Sequence, residues 1–135
     1  YIGCATILYK AVSLFKTGRV VGRQQTDIHP VGFYCTQRTV GDENINWNNS
    51  SIDIFNFIRA ISHPGPMARA FIDGKEVKIN KAELISEAVM YKCITGAILN
   101  VDKTGVLVKT ADSFVKITEY ICDEKLRLGD RFDFR

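Results

Sequence analysis

The residue types best suited to acid–base chemistry in this sequence are two histidines and one pair of adjacent acids. His29 and His63 each precede a proline, and imidazole is the side chain that titrates closest to neutral pH. Neither histidine has an acid, Ser or Cys at a local spacing that would form a catalytic pair or triad. Asp42 and Glu43 lie in a polar stretch, where neighbouring carboxylates are usually solvated. We therefore predict two turn histidines and no catalytic residue.

The four cysteines are widely separated, at positions 4, 35, 93 and 122. A structural zinc site requires paired thiolates at close spacing, and this sequence contains no CxxC. It also contains no glycine-rich phosphate loop, no HExxH and no GxSxG. We expect four reduced, mostly buried thiols in a cytoplasmic protein, with a disulfide framework as the alternative. No metal site is predicted.

Several aromatic and basic residues have side chains that are able to bind a ligand, although they form no recognised motif. They are Phe33, Tyr34, Arg38, Trp47 and Arg59. An aromatic ring stacks on a base, and a neighbouring guanidinium holds a phosphate. The alternative is structural, with Phe33 and Trp47 in the core and Arg59 paired with an acid on its own element. On the residues alone, the structural interpretation is favoured.

The composition is that of a globular chain of 135 residues, with 46% hydrophobic and 24% charged residues and a net charge of +3. It excludes an acidic tail, a histone-like arm and a disordered chain. No apolar run approaches the roughly 18 to 20 residues of a membrane span, and the first residues lack the pattern expected of a signal peptide. Because the chain does not begin with Met, we expect it to be a piece of a longer protein.

Apolar residues at helical spacing predict a first helix over residues 5–16, with a wide apolar stripe that includes Leu8, Val12 and Phe15. Gly18 is placed to end this helix in a left-handed cap. Residues 20–31 follow as an irregular linker, because glycines, glutamines and a proline interrupt any period. A stripe this wide predicts packing against a substantial partner.

The elements that follow indicate an α+β fold. After a strand-like run over residues 33–38 and a polar stretch over 42–49, Ser50 is placed to cap a second helix that Pro64 stops. From Met67 onward, apolar and polar residues alternate with a period of two, which is typical of β-strands. One hairpin is predicted to turn at Asp73-Gly74 and another at residues 102–105. Further strands are predicted over residues 114–120 and near 131–132. Helices followed by five or six short antiparallel strands predict a small closed or partly open β-barrel.

Eight short segments then occur in order along nearly the whole chain: 34–38 (YCTQR), 42–47 (DENINW), 54–60 (IFNFIRA), 64–66 (PGP), 74–82 (GKEVKINKA), 95–98 (TGAI), 105–110 (GVLVKT) and 128–132 (LGDRF). This ordered set resembles the C-terminal half of the formyltransferases that use 10-formyltetrahydrofolate. Two departures are that Asn46 stands where the family usually has Asp, and that Glu43 and Asn44 replace its Gly-x.

The resemblance implies that residues 1–31 are the terminal helix of a preceding catalytic domain together with a linker. Residues 32–135 are then the C-terminal domain, a helix followed by a small OB-like β-barrel. In this family the catalytic Asn, His and Asp lie in an N-terminal Rossmann-like domain, and nothing in this sequence matches them. The resemblance therefore implies that the 10-formyltetrahydrofolate cofactor is bound by that N-terminal domain, which is the expected partner of this chain.

The resemblance leaves open which of two types of molecule accepts the formyl group. The methionyl-tRNA type has a longer barrel with a basic surface, whereas here residues 117–120 run almost directly to 126–130 and the charges are mixed. These features favour the type that formylates a nucleotide-linked amino sugar. The alternatives are a tRNA acceptor and a non-enzymatic small-barrel binding module.

Tyr34 and Arg38 are expected to bind the acceptor, because they follow the interdomain linker, where a substrate reaches both domains. We expect the apolar stripe of the first helix to pack on the N-terminal domain or, if it is left bare, on a second copy of the chain as a homodimer. No membrane partner is expected.

Overall fold

The computed structural model describes residues 2–133. Within this range it contains three helices and five strands: α1 (Ile2–Lys16), α2 (Gln25–Ile28), α3 (Ser51–Ile61), β1 (Ala68–Ile72), β2 (Lys75–Glu83), β3 (Ile98–Asp102), β4 (Gly105–Lys109) and β5 (Phe114–Ile121). The chain divides into two compact units, one ending at Gln37 and the other beginning at Arg38. Helices α1 and α2 belong to the first unit, and the remaining elements belong to the second.

The first unit is a helix followed by an irregular segment. Helix α1 begins at Ile2, earlier than predicted, because no capping residue type marks its start in the sequence. Its end agrees with the prediction, since Gly18 has a φ of 67° and its amide donates to Phe15 O at 3.1 Å. The predicted linker contains one helical turn, α2, that the broken periodicity did not reveal. The apolar stripe of α1 is exposed along its length.

The predicted strand over residues 33–38 is wrong, because this stretch has no regular structure. A strand requires a hydrogen-bonded partner, and none pairs with it among the described residues. The polar stretch after it is turn-rich as predicted. Asp42 Oδ2 accepts from Thr39 N at 2.7 Å, and Glu43 Oε2 accepts from Gly41 N at 3.2 Å. The two adjacent acids therefore stabilise a turn.

Helix α3 starts and stops where the sequence predicts. Ser50 Oγ accepts from Asp53 N at 3.2 Å and donates to the carboxylate of the same residue at 2.6 Å. The face formed by Ile54, Ile58 and Ile61 is buried, and it packs on β1, β2 and β5. The helix is thereby fastened to the sheet by a continuous apolar contact.

The five strands form one antiparallel sheet in the order β1-β2-β5-β4-β3. The first hairpin has the predicted two-residue turn, in which Asp73 and Gly74 have φ of 50° and 76°. The second hairpin joins Asp102 to Gly105. Pairing of β2 with β5 is interrupted by register shifts between Ile79 and Ala82, which bend the strands.

The edge strands β1 and β3 are connected by the segment that follows β5. Phe132 N donates to Gly96 O at 2.9 Å beside β3, and Asp133 N donates to Phe71 O of β1 at 2.7 Å. The strand predicted near residues 131–132 is therefore only an isolated bridge, between Ala97 and Arg131, because the segment turns from one edge to the other. The α+β fold with a small barrel-like sheet is confirmed.

An aromatic stack lies inside this connection. The rings of Trp47 and Phe132 are 5.0 Å apart at an interplanar angle of 12°, and both residues are buried. Gly96 passes beside them with a φ of 77°, and a Cβ on it would lie 3.0 Å from Phe132 O. The position therefore requires glycine on both conformational and steric grounds.

The turn between β4 and β5 is tied to the start of α3 by one carboxylate. Asp112 Oδ1 accepts from Ser51 N at 2.8 Å, from the Thr110 hydroxyl at 2.9 Å and from Ser113 N at 2.8 Å. Burial by itself raises the pKa of Asp112, but these hydrogen bonds outweigh burial, so its pKa is lowered.

The hairpin turn yields a stability prediction. Gly74→Val should reduce the free energy of unfolding by roughly 1 to 3 kcal/mol, because a β-branched residue resists the left-handed conformation. The added side chain meets open space, so the cost comes from the backbone alone. Thermal and urea unfolding measure the change. Gly74→Asn is the control and should lose much less, and equal losses in both variants would contradict the assignment.

The Asp112 carboxylate yields a pH prediction. Because its pKa is lower in the folded chain, its stabilisation is present above the ordinary value of 3.8 and is lost as the pH falls through the folded value. Asp112→Asn should reduce the free energy of unfolding by about 1 to 3 kcal/mol at pH 7, and the gap from wild type should narrow at pH 3. Urea unfolding at both pH values tests this. Asp123→Asn, at an exposed position, is the control, and a gap that does not change with pH would refute the role.

Candidate functional site

The two predicted binding residues, Tyr34 and Arg38, lie on the irregular segment between α2 and the turn at residues 39–44. Tyr34 has a relative exposure of 102%, and neither side chain has a hydrogen bond or ion pair within the described part of the chain. Tyr34 belongs to the first compact unit, whereas Arg38 begins the second. Both side chains are free to contact a ligand.

The positive charge of the chain is concentrated at its N-terminal end. Residues 1–37 contain one acid, Asp27, and four cations, which are Lys10, Lys16, Arg19 and Arg23. This segment therefore carries the whole net charge of +3. Residues 38–135 contain fourteen cations and fourteen acids. The first unit therefore has an excess of cations, and the second is balanced.

The first unit also contains exposed aromatic and basic groups next to an open hollow of about 550 Å³. Arg23, His29 and Phe33 line this hollow, and Phe33 has a relative exposure of 83%. His29 Nδ1 lies 2.6 Å from Val31 O, which fixes the ring within its own turn. Phe33 is thus not in the core. Exposed rings with nearby guanidinium groups suit the stacking of bases and the binding of phosphates.

The cations on the sheet are mostly paired with acids. Lys81 lies 2.5 Å from the carboxylate of Glu119, and Lys116 lies 3.8 Å from that of Asp102. Other pairs join Arg69 and Lys78 to Glu76, and Lys75 to Glu124. Exposed pairs of this kind contribute little to stability, but they leave the sheet without a large positive patch.

A second groove, of about 340 Å³, lies between the β1–β2 turn and the segment after β5. Lys75, Lys125 and Arg127 line it together with Asp73 and Asp130. Because cations and carboxylates alternate around it, the groove has no clear preference for anions. We therefore do not assign it as the site.

No catalytic or metal-binding constellation occurs among residues 2–133. His63 is exposed, and its amide donates to Asn80 Oδ1 at 2.8 Å, so it is a turn residue as predicted. No group of three or more His, Cys, Asp or Glu side chains in this range is placed to hold a metal ion. In the same range, no helix is both long and apolar enough to cross a membrane.

Other predictions about single residues have mixed outcomes. The cysteines are unpaired, but the prediction that they are mostly buried is wrong, since Cys4, Cys35 and Cys93 are exposed. Trp47 is in the core as the structural interpretation required. Arg59 has no acid partner on its own helix, and it instead donates to Asn56 Oδ1 at 3.2 Å.

The sequence interpretation missed one buried charge. Lys109 is fully buried at the end of β4, and burial lowers its pKa. Its Nζ donates to Thr110 O at 2.7 Å and to Ser113 O at 3.0 Å, and it lies 4.5 Å from the centroid of the Tyr91 ring. No period in the sequence distinguishes this lysine from an exposed one at a strand end.

Comparison with known proteins places this second unit in a family. The sequence profile described as "Formyl transferase, C-terminal domain" matches residues 38–129. The matched region begins at the boundary between the two compact units. It includes α3, all five strands and Trp47, one of the two residues of the aromatic stack.

Three of the similar proteins carry the name methionyl-tRNA formyltransferase. The protein of that name from Mycoplasma mycoides subsp. mycoides is 39% identical over 116 residues, covering 74% of this chain and 36% of the relative. The one from Mycoplasma capricolum subsp. capricolum is 36% identical with the same coverage. The one from Clostridium acetobutylicum is 30% identical over 115 residues, covering 85% of this chain and 36% of the relative. The chain thus spans about a third of their length.

These relatives contradict the nucleotide-linked amino sugar as acceptor, since all three are named for methionyl-tRNA. The prediction was wrong because it relied on a short barrel and on mixed charges. Neither feature excludes an RNA-binding surface elsewhere in the chain, and the cation excess lies in residues 1–37. The family itself is established by the profile match to most of the second unit, so this chain belongs to the formyl transferase C-terminal domain family.

Proposed function

We propose that this chain is the C-terminal part of a methionyl-tRNA formyltransferase. The proposed reaction moves the formyl group of 10-formyltetrahydrofolate to the amino group of the methionine on methionyl-tRNA. The observation that carries the proposal is the shared name of relatives that are 30% to 39% identical to this chain. The cytoplasmic location expected from the sequence remains a prediction.

The role of this chain in that reaction is to bind the acceptor. In formyl transfer the amine nitrogen bonds to the formyl carbon, the bond from that carbon to the folate nitrogen breaks, and one amine proton passes to the folate nitrogen. These steps require a proton-handling group and oxyanion donors. Since the described residues contain no such constellation, we assign the chemistry and the folate site to an N-terminal Rossmann-like domain.

The domain division expected from the resemblance is part of the proposal. Residues 1–31 are the terminal helix of the catalytic domain with its linker, and residues 32–135 are the C-terminal domain. The exposed stripe of Leu8, Val12 and Phe15 supports this division, because an apolar helix face requires a partner. We propose the N-terminal domain as that partner and a homodimer as the alternative.

The surface that best suits RNA is the linker and the segment after it. Arg19 and Arg23 belong to the part of the chain that carries the net positive charge, and neutralising phosphates with such cations releases counterions. Phe33 and Tyr34 expose their rings about ten residues further along the same unit, and exposed rings suit stacking on unpaired bases. Tyr34 and Arg38 therefore remain the proposed binding residues, with tRNA as their ligand.

The acceptor is tested on the intact protein, in which this chain is joined to its catalytic domain. Formyl transfer from 10-formyltetrahydrofolate should be detected with methionyl-tRNA and not with a nucleotide-linked amino sugar, because the amine must be presented by a bound tRNA. Transfer of a labelled formyl group measures both reactions, and uncharged tRNA should inhibit by competition. Comparable kcat/KM for the amino sugar would overturn the proposal.

A second prediction concerns Tyr34. Tyr34→Ala should raise KM for methionyl-tRNA by roughly 5- to 150-fold with little change in kcat, because loss of one stacked base costs about 1 to 3 kcal/mol in ground and transition states alike. Tyr34→Phe keeps the ring and is the matched control, so its KM should stay near the wild-type value. A large fall in kcat at unchanged KM would show that Tyr34 acts in the chemical step instead.

A third prediction concerns Arg38. Arg38→Ala should weaken binding of tRNA and reduce the slope of log affinity against log salt concentration by about one, as expected for one lost phosphate contact. Binding is measured between 50 and 200 mM salt by fluorescence anisotropy with labelled tRNA. Arg59→Ala is the control, since that guanidinium is bonded to Asn56 on α3. An unchanged slope in Arg38→Ala would remove this residue from the interface.

A further inference from the structure

The chain between β2 and β3, residues 84–96, has no helix or strand. We refer to it as the β2–β3 loop. It carries exposed apolar side chains, among them Val89, Met90 and Ile94. Ordering a long loop costs conformational entropy at each residue, so specific contacts must hold it in place.

Two hydrogen bonds attach the middle of this loop to the β4–β5 turn, residues 110–113. Tyr91 N donates to Asp112 O at 3.0 Å, and Ser113 Oγ donates to Val89 O at 3.0 Å. The Tyr91 ring also lies 6.4 Å from the ring of Phe114 at an angle of 57°. The loop is therefore fastened near Tyr91. All three contacts join the loop to the β4–β5 turn or to Phe114, the residue that follows the turn.

The buried ammonium of Lys109 lies at this fastening. Two of its donors are used by the carbonyls of Thr110 and Ser113, both in the turn, and the face of Tyr91 lies on another side. A buried charge is costly unless it is compensated, and an aromatic face attracts a desolvated cation strongly. The other titratable groups near it are Asp112 and Cys93, which favour its charged form against the effect of burial.

We infer that the Lys109 ammonium is a latch that holds the β2–β3 loop against the β4–β5 turn through the face of Tyr91. In the closed state the ring covers the ammonium and the Tyr91 amide is bonded to Asp112. In the open state the loop leaves, while the two carbonyl bonds of Lys109 keep the turn folded. The latch thus has two arrangements that differ in the loop alone, independently of the proposed tRNA interface in the linker.

Amide hydrogen exchange of the full chain, followed by NMR at pH 7, tests the latch. The reporter is the amide of residue 91, and the amide of Val115 in β5 is the internal reference. Tyr91→Leu should speed exchange at residue 91 on the order of tenfold, corrected for intrinsic rates, because the cation–π contact is lost. Tyr91→Phe keeps the ring and is the matched control, so its exchange should stay within about twofold of wild type.

Lys109→Met removes the charge from the other side of the contact. Exchange at residue 91 should rise at least as much as in Tyr91→Leu, because Lys109→Met also removes the two carbonyl bonds of the turn. Adding Tyr91→Leu to Lys109→Met should then change exchange little, since the contact between ring and ammonium is already absent. Unchanged exchange in Tyr91→Leu, or equally fast exchange in Tyr91→Phe, would overturn the latch. So would slow exchange in a folded Lys109→Met, which would assign the fastening to Phe114 instead. If Lys109→Met does not fold, Phe114→Leu decides: exchange at residue 91 should stay near the wild-type rate if the ammonium holds the ring, and a rise like that in Tyr91→Leu would overturn the latch.

Discussion

The sheet of this domain has two edges, and the hydrogen bonds of one short segment reach both of them. Residues 129–133 bond first to the chain around β3 and then to β1, so a single crossing satisfies backbone groups that an open sheet leaves unpaired. Phe132 lies at the middle of this crossing and stacks on Trp47. The position of the segment therefore depends on where the indole ring is held.

Trp47 is held in turn by the polar stretch that precedes α3. Ile45 N donates to Arg69 O and Arg69 N donates to Glu43 O, each at 2.8 Å, so this stretch lies along β1. The stack thus connects three parts of the chain that are far apart in sequence: the stretch before α3, the approach to β3 and the segment after β5. Aromatic pairs contribute about 0.5 to 1.5 kcal/mol beyond the area that they bury, and here the pair also anchors the crossing segment to the stretch before α3.

The features predicted correctly from the sequence are those set by local chemistry. The turn at Asp73-Gly74 required positive φ, and the Ser50 cap required an acceptor for free amides, so both could be recognised from a few residues. The strand over residues 33–38 was wrong because strand-forming residue types do not supply a partner strand. The crossing of residues 129–133 and the burial of Lys109 depend on tertiary contacts, for which no local pattern exists.

The acceptor prediction failed for a different reason, which concerns where the charge lies. A net charge of +3 over the whole chain is small, and mixed charges on the barrel made it look unsuited to RNA. Electrostatic attraction to phosphates depends on the local density of cations within about one Debye length, roughly 8 Å at physiological salt, rather than on a chain average. Residues 38–135 have no net charge, so the whole +3 is carried by a segment of 37 residues. A charge count by segment, together with the exposed rings of Phe33 and Tyr34, supports the proposed tRNA interface.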